Sequence, residues 1–286
     1  MFRNGEFGPQ FVVLDKGRLL VRKSWLELFE RTHLLGFRNF MNTRTGEILG
    51  ERDDRERMRM ELDSPEGKRV FYLKRYQKSS PLRLLWILLG VCSRSHGRQE
   101  LVNIARMQKA GLFTLTAAAA GEAGRTEGSF VLLEELRGFQ PLDDFLAGPC
   151  RPRTLSDTRE LIRALAQYVR KLHQAGIDHR DLYLCHFFVR PEDPARTLRL
   201  IDLQRIKRSW GLRQRHGFIK DLSAMNYSAE QTGVSRADRL RFILAYFGTR
   251  HPDFWQRFFL RAVIRKTGKI HRRVLKKQEI NGDINQ

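Results

Sequence analysis

The spacing of apolar and polar positions changes character about halfway along the chain. Residues 57–62 alternate as Arg-Met-Arg-Met-Glu-Leu, a period of two that predicts a half-buried strand. Ser64-Pro65-Glu66-Gly67 reads as a turn, and a second strand follows over residues 69–74. Between residues 98 and 110 the period lengthens: Leu101, Ile104, Ala105 and Met107 share one side of a predicted helix that Gly111 ends. Strands are expected around residues 114–120 and 129–134. Beyond Gly138 helices dominate. Thr154 is placed to cap one whose apolar face is Leu161, Ile162, Leu165, Val169 and Leu172 and which stops at Gly176. A short polar loop, a strand at 187–189, a turn at 191–194 and a strand at 198–201 follow. Helical patterning then runs to about residue 277. Strands first and helices second predict an α+β chain of two lobes, a small β-rich lobe over residues 1–137 and a helical lobe over 138–286.

Composition narrows the class. Apolar residues make up 41% of the 286, enough for a globular core. Against 32 Asp and Glu stand 53 Lys and Arg, a net charge of +21, which implies an anionic partner: nucleic acid, an anionic membrane surface, a phosphorylated substrate or an acidic protein. No helix-turn-helix, zinc or RNA-binding signature accompanies the charge, so nucleic acid is not the expected partner. Cys92, Cys150 and Cys185 are scattered without metal-type spacing, which predicts a reducing compartment. The N-terminus lacks a basic region followed by an apolar one, so no secretory signal is expected. The longest apolar run, residues 84–92, is about half of the ~20 residues a spanning helix needs. Flanked by basic residues, it reads as a core segment or as an interfacial wedge.

One constellation carries chemistry. His179-Arg180-Asp181-Leu182 is followed by His186 and, after the predicted hairpin, by Asp202 in Leu200-Ile201-Asp202-Leu203. Protein kinases place a catalytic Asp in an H-R-D-L loop, a metal-binding side chain five residues on, and a second metal-binding Asp further along. Phosphoryl transfer needs one carboxylate to orient the attacking hydroxyl and others to hold the Mg²⁺ that bridges the phosphates of ATP. Upstream, Lys74 ends a strand from which it can reach the α/β-phosphates, and Glu100 on the next helix can hold it extended. Glu134, Glu135 and Leu136 fall where a kinase hinge offers backbone groups to adenine. His179 reads as a packed loop anchor.

The string Gly176-Ile177-Asp178-His179-Arg180-Asp181-Leu182-Tyr183-Leu184-Cys185-His186-Phe187 resembles the signature of the lipopolysaccharide kinase family, in particular its core heptose(I) kinases. Ile201-Asp202-Leu203-Gln204-Arg205, Lys220-Asp221-Leu222 and Arg239-Leu240-Arg241-Phe242 resemble it too, and the likeness covers residues 57 to 250. The resemblance implies a protein-kinase-like fold, ATP and Mg²⁺, and transfer of the γ-phosphate to a heptose of the lipopolysaccharide inner core. Asp181 then takes the catalytic role, Asp202 binds metal, His186 stands in the position of the kinase Asn, and Asp221 braces the catalytic loop. The chain departs from kinases in lacking G-x-G-x-x-G: the available loop spans residues 43–56, with Gly46 and Gly50. Imidazole at His186 is also a softer ligand than Mg²⁺ usually takes.

Two basic stretches remain. Arg205, Lys207 and Arg208, with Arg213 and Arg215, occupy the place of a substrate-docking segment and suit the carboxylates and phosphates of inner-core acceptors. Residues 257–277 hold nine basic residues and no acid, interleaved with Phe258, Phe259, Leu260, Val263 and Ile264. That pattern predicts either a solvated face of a terminal helix or a basic amphipathic helix lying on anionic lipid. A lipid-linked acceptor and a cytoplasmic donor together place the protein at the cytoplasmic face of the inner membrane. The competing readings are a Kdo kinase or a protein tyrosine kinase of the same fold, a pseudokinase scaffold, and a basic nucleic-acid-binding protein.

Overall fold

The computed structural model describes residues 1–52, 55–77, 95–124, 128–149 and 154–284; the apolar run at 84–92 lies outside them. The chain divides into two units, residues 1–108 with 114–137, and residues 109–113 with 138–286.

The first unit is built on an antiparallel sheet. Its strands are β1 (Phe11–Leu14), β2 (Leu19–Arg22), β3 (Glu47–Arg52), β4 (Arg55–Ser64), β5 (Gly67–Tyr76), β6 (Ala117–Glu122) and β7 (Ser129–Glu134), in the spatial order β1-β2-β6-β7-β5-β4-β3. The alternation that predicted β4 is real: Met58, Met60 and Leu62 are buried while Arg57, Arg59 and Glu61 face the other way. The 64–67 turn then lets β4 and β5 pair along their whole lengths, Met58 opposite Leu73 and Met60 opposite Phe71. Helices α1 (Leu26–Arg31) and α2 (Phe37–Asn42) cover one face of the sheet. Phe29 and Phe40 meet Phe71 and Phe130 there, ring centroids 5.6 and 4.8 Å apart.

Residues 43–56, expected as a loop, contain β3. This edge strand hides from periodicity because a bulge between Ile48 and Gly50 breaks the alternation and both Ile48 and Leu49 are exposed. Gly46 serves packing rather than mobility: at φ +146° a Cβ there would stand 2.5 Å from the Arg59 carbonyl oxygen. β3, β4 and β5 form a meander with Lys74 on its third strand, the place a kinase lysine takes. Residues 53 and 54, between β3 and β4 in the sequence, lie outside the described residues.

Helix α3 (His96–Lys109) carries Glu100. It can approach the sheet because position 97 is glycine; a Cβ there would lie 2.5 Å from the Phe130 carbonyl oxygen of β7.

The second unit is helical. Thr154 caps α5 (Leu155–Gln174) by accepting the Asp157 N–H at 3.0 Å, and Gly176, at φ +74°, turns the chain away. Preceding it are β8 (Gln140–Pro141) and α4 (Leu142–Ala147); following it are β9 (Ile177–Asp178), β10 (Phe187–Val189), β11 (Arg199–Leu200) and β12 (Lys207–Arg208). Three further helices, α6 (Gly211–Gln231), α7 (Arg236–Phe247) and α8 (Phe254–Ile284), complete the unit, with α5 packed on α7 and α6 on α8. The predicted apolar face of α5 is buried at Leu161, Leu165, Val169 and Leu172. Within this unit lies a cavity of about 1190 Å³ lined by apolar side chains that include Leu146, Ile162, Met225, Phe242, Ile243 and Leu260.

Gly97→Ala tests how α3 is seated. The added methyl forces the helix off β7, and we expect a loss of about 1–3 kcal/mol in chemical denaturation. Unchanged stability would show that the helix can shift without cost.

Candidate active site

The loop after β9 takes its shape from one buried carboxylate. Asp221 on α6 accepts the backbone N–H groups of His179 and Arg180, each at 2.6 Å, and is itself fully buried. Around it His173 stacks on Phe218 (centroids 3.9 Å apart) and bonds the Tyr246 hydroxyl of α7 at 2.8 Å. Arg180 is held at φ +75°, a left-handed conformation that a non-glycine residue adopts only under constraint.

That turn presents Asp181. Its side chain is one-fifth exposed and holds two cations: Oδ2 pairs with Arg205 Nη1 at 2.6 Å and Oδ1 with Lys220 Nζ at 3.5 Å. Lys220 precedes the bracing Asp221 on α6, so one helical turn both fixes the loop and contacts its carboxylate. A further cation stands near: Lys266 of α8 has its pKa lowered by burial and by Lys220.

His186 ends a 3-10 turn, Leu184–His186, and its Nδ1 lies 2.6 Å from the Asp181 carbonyl oxygen. A carbonyl only accepts, so Nδ1 carries a proton, and in the neutral ring it is Nε2 that presents a lone pair. Asp202 Oδ2 lies 3.9 Å from that Nε2. Hairpin register brings the two together: Phe187 pairs with Leu200, which sets His186 and Asp202 at the open ends of β10 and β11. Asp202, at φ +57°, is also left-handed. A nitrogen lone pair and a carboxylate oxygen at this separation suit two ligands of one divalent cation. Among the described residues no third His, Cys, Asp or Glu joins them, so phosphate and water oxygens would complete the shell, as Mg²⁺ prefers.

His179 is a packed anchor, its ring fully buried and Nε2 donating to the Ile201 carbonyl at 3.0 Å. Among the described residues its Nδ1 has no hydrogen-bond partner, and burial lowers its pKa although Asp221 pulls the other way. Lys207 and Arg208 are exposed on β12, where Arg208 lies over the Trp210 ring at 4.5 Å. Of the proposed docking trio, therefore, Arg205 alone reaches Asp181 in this conformation.

In the first unit Lys74 and Glu100 meet as expected, Nζ to Oε1 at 2.6 Å, with Glu100 fully buried. The second Glu100 oxygen accepts the Tyr76 hydroxyl at 2.9 Å, a partner that two-residue spacing along β5 could have suggested. Glu134 is committed elsewhere. Its N–H donates to the Thr116 carbonyl, its carboxylate accepts Trp25 Nε1 at 2.7 Å, and burial raises its pKa. Glu135 donates to the Val70 carbonyl, while Leu136 lies past the strand end, partly exposed.

A sequence model of the lipopolysaccharide kinase (Kdo/WaaP) family matches residues 41–246. The chain belongs to this family. It is 33% identical over 217 residues to the lipopolysaccharide core heptose(I) kinase WaaP of Pseudomonas aeruginosa, covering 71% of this chain and 77% of that one. Against the Escherichia coli K12 enzyme of the same name it is 32% identical over 219 residues, 71% and 78% of the two chains. A solved structure described as WaaP in complex with acyl carrier protein superposes with a TM-score of 0.65 at 30% identity, over 88% of this chain and 98% of that one. The fold is thus the kinase-like α+β fold expected. The family match begins at residue 41, so the β1–β2 hairpin and α1 lie outside it.

The loop anchor makes a pH prediction. Protonating His179 would bury a charge and a second N–H without an acceptor, so the folded state holds the ring neutral. The stability this gives is complete above the unfolded value of about 6.5 and is lost as pH falls through it toward the lower folded value. Melting temperature should drop on acidification below that point, and less steeply in His179→Gln. Parallel curves for the two proteins would sink the assignment.

Proposed function

We propose that the protein is an ATP-dependent kinase that phosphorylates a heptose of the lipopolysaccharide inner core. The observation that carries this reading is Asp181, a partly exposed carboxylate on a loop pinned by a buried one and neighboured by the His186–Asp202 pair. The names of its relatives favour heptose over Kdo as acceptor. The alternatives without transfer, a pseudokinase scaffold or a nucleic-acid-binding protein, leave the Lys74–Glu100 pair and the Asp181 loop unexplained.

In this reading Asp181 orients the acceptor hydroxyl and takes its proton as the hydroxyl oxygen bonds to the γ-phosphorus. The bond from that phosphorus to the ADP oxygen breaks, and ADP leaves with the electron pair. Arg205, whose side chain is 61% exposed, is suited to exchange Asp181 for a phosphoryl oxygen, while the more sheltered Lys220 stays with the carboxylate. Lys207 and Arg208 bind the anionic groups of the acceptor. Lys74, held by Glu100, contacts the α/β-phosphates. With the Glu134 N–H and carboxylate already engaged, the adenine contact falls to the remaining backbone groups around Leu136. His186 and Asp202 would hold Mg²⁺, which neutralises charge on the phosphates.

An acidic protein partner also fits. The solved relative is a complex with acyl carrier protein, and we extend that association to this chain. The apolar cavity of the helical unit suits an acyl chain in volume and in the chemistry of its lining. A lipid-linked acceptor and ATP meet at the cytoplasmic face of the inner membrane, where we place the protein as a peripheral one. No helix among the described residues is long and apolar enough to cross a membrane.

Incubation with ATP, magnesium and dephosphorylated core lipopolysaccharide should add one phosphate, located on heptose by mass spectrometry. Asp181→Ala should cut turnover by about 10²- to 10⁴-fold with an unchanged melting temperature. Near-normal turnover in that variant would overturn the assignment. Asp202→Asn should weaken nucleotide binding in a way that excess magnesium partly restores; if added magnesium makes no difference, Asp202 is not a metal ligand.

A further inference from the structure

Helix α8 has two faces with different work. Its inner face is engaged: Phe259 meets Phe247 of α7 at 6.1 Å, Val263 and Thr267 are buried, and Ser223 of α6 donates to the Val263 carbonyl. The flank bearing Leu260 and Ile264 lines the apolar cavity. The outer face follows a separate line. Asp253 and Gln256 cap the helix start reciprocally, Asp253 Oδ1 accepting the Gln256 N–H at 2.8 Å and Gln256 Oε1 the Asp253 N–H at 3.1 Å. From there the positions 254, 258, 261, 265, 269, 272 and 276, spaced by three and four, all point outward and are all exposed.

The order of residues along that line is not random. Its first turn is aromatic: Phe254, Trp255 and Phe258 are 71%, 66% and 60% exposed, and Phe254 and Trp255 contact each other edge to face at 5.4 Å. The rest is basic: Arg261, Arg265, Lys269, Arg272 and Lys276. No acidic residue occurs from 254 to 278. The line is about 33 Å long at 1.5 Å per residue.

We propose that this outer face is the membrane-docking surface, lying flat on an anionic bilayer with Phe254, Trp255 and Phe258 inserted at the headgroup boundary and the basic row on the lipid phosphates. The proposal rests on the kinase reading only in needing a lipid-linked acceptor. Charge complementarity selects anionic lipid as the occupant, and three adjacent exposed aromatic rings select an interface over a purely polar surface, because such rings partition to the water–hydrocarbon boundary. An acidic protein would be drawn by the basic row but offers no general apolar layer for all three rings. Lys266, half-buried, does not belong to the row.

The test uses the full chain and vesicles of phosphatidylethanolamine with phosphatidylglycerol, against phosphatidylcholine alone. Binding should require the anionic lipid and weaken steeply with salt, because screening cuts the reach of such charges to about 8 Å near physiological ionic strength. Replacing Phe254, Trp255 and Phe258 by Ala should weaken partitioning at least about tenfold and remove a salt-resistant component. Replacing the five basic residues by Gln should remove the salt-dependent component, each residue being worth about fivefold near the surface. Vesicles should shift tryptophan emission to the blue, and Trp255→Phe should abolish that shift. Both multiple variants should melt normally and turn over a soluble truncated acceptor as wild type does. Loss of vesicle binding in neither variant overturns the proposal while leaving the kinase reading intact. Variants that still bind vesicles but lose acyl carrier protein would assign the face to the acidic protein instead. Absence of turnover in wild type with vesicle binding intact would overturn the kinase reading and not the docking surface.

Discussion

A single buried carboxylate governs the helical unit. Asp221 has no access to water, and its oxygens are satisfied by the His179 and Arg180 N–H groups, with His173 Nε2 a longer 3.4 Å away. The same two bonds hold Arg180 in a left-handed turn that the chain would otherwise avoid. The consequences run outward from there. The turn presents the Asp181 side chain to Arg205 and Lys220 and its carbonyl to His186, and that last contact fixes the imidazole tautomer so that Nε2 is left toward Asp202. Through His173 and Tyr246 the brace is also tied to α5 and α7. Loss of Asp221 would therefore cost two backbone bonds and the local geometry of every candidate group in this unit.

The two units set their ion pairs at different depths. In the first, the acid is the deeper partner: Glu100 is wholly buried, steadied by Tyr76, and pairs with Lys74, which is only 13% exposed. In the second, the acid is again the more sheltered partner but lies nearer the surface, with Asp181 between Arg205 and Lys220. Burial decides which partner is fixed. A buried group cannot leave its partner without a large desolvation penalty, whereas Arg205, largely in water, can exchange partners at small cost.

Much of this was legible in the residues. Period-two alternation in β4 and the Thr154 cap and Gly176 stop of α5 gave those elements because each is a local signal: one face buried, one donor satisfied, one left-handed position. The order of Lys74, Glu100, Asp181, His186 and Asp202 was legible because the family string is long. What stayed hidden depends on tertiary contact. Periodicity does not mark β1, β2, α1 and α2: the two four-residue strands are uniformly apolar or nearly so rather than alternating, and the two six-residue helices span less than two turns. β3 is an exposed, bulged edge. Lys220 was visible as a neighbour of Asp221, but only the folded helix turns it to Asp181. Glu134 looked like a hinge group, and its carboxylate proved to be spoken for by Trp25, more than a hundred positions away in sequence.

The net charge of +21 is the bulk property that invites a partner, yet a sum over the whole chain says little about where a partner goes. Charges act over roughly a Debye length, about 8 Å in physiological salt, so only local imbalance attracts. Much of the first unit is locally balanced. Arg75 is paired with Glu56, Lys74 with Glu100, and Arg98 with Glu6 and Glu122. In α7 and α6, Arg241 and Arg239 meet Asp238 and Glu230. The imbalance is left where acids are missing from the sequence: along residues 205–220, and along the outer face of α8. The first of these contains the cations on Asp181 and is led by the loop that Asp221 fixes. The second makes no ion pair with Asp181 among the described residues and is headed by exposed aromatic rings. Under the proposed function these two unbalanced regions, with their different companions, would answer two different anions, the phosphates at the site of chemistry and the lipid surface from which the acceptor would be drawn.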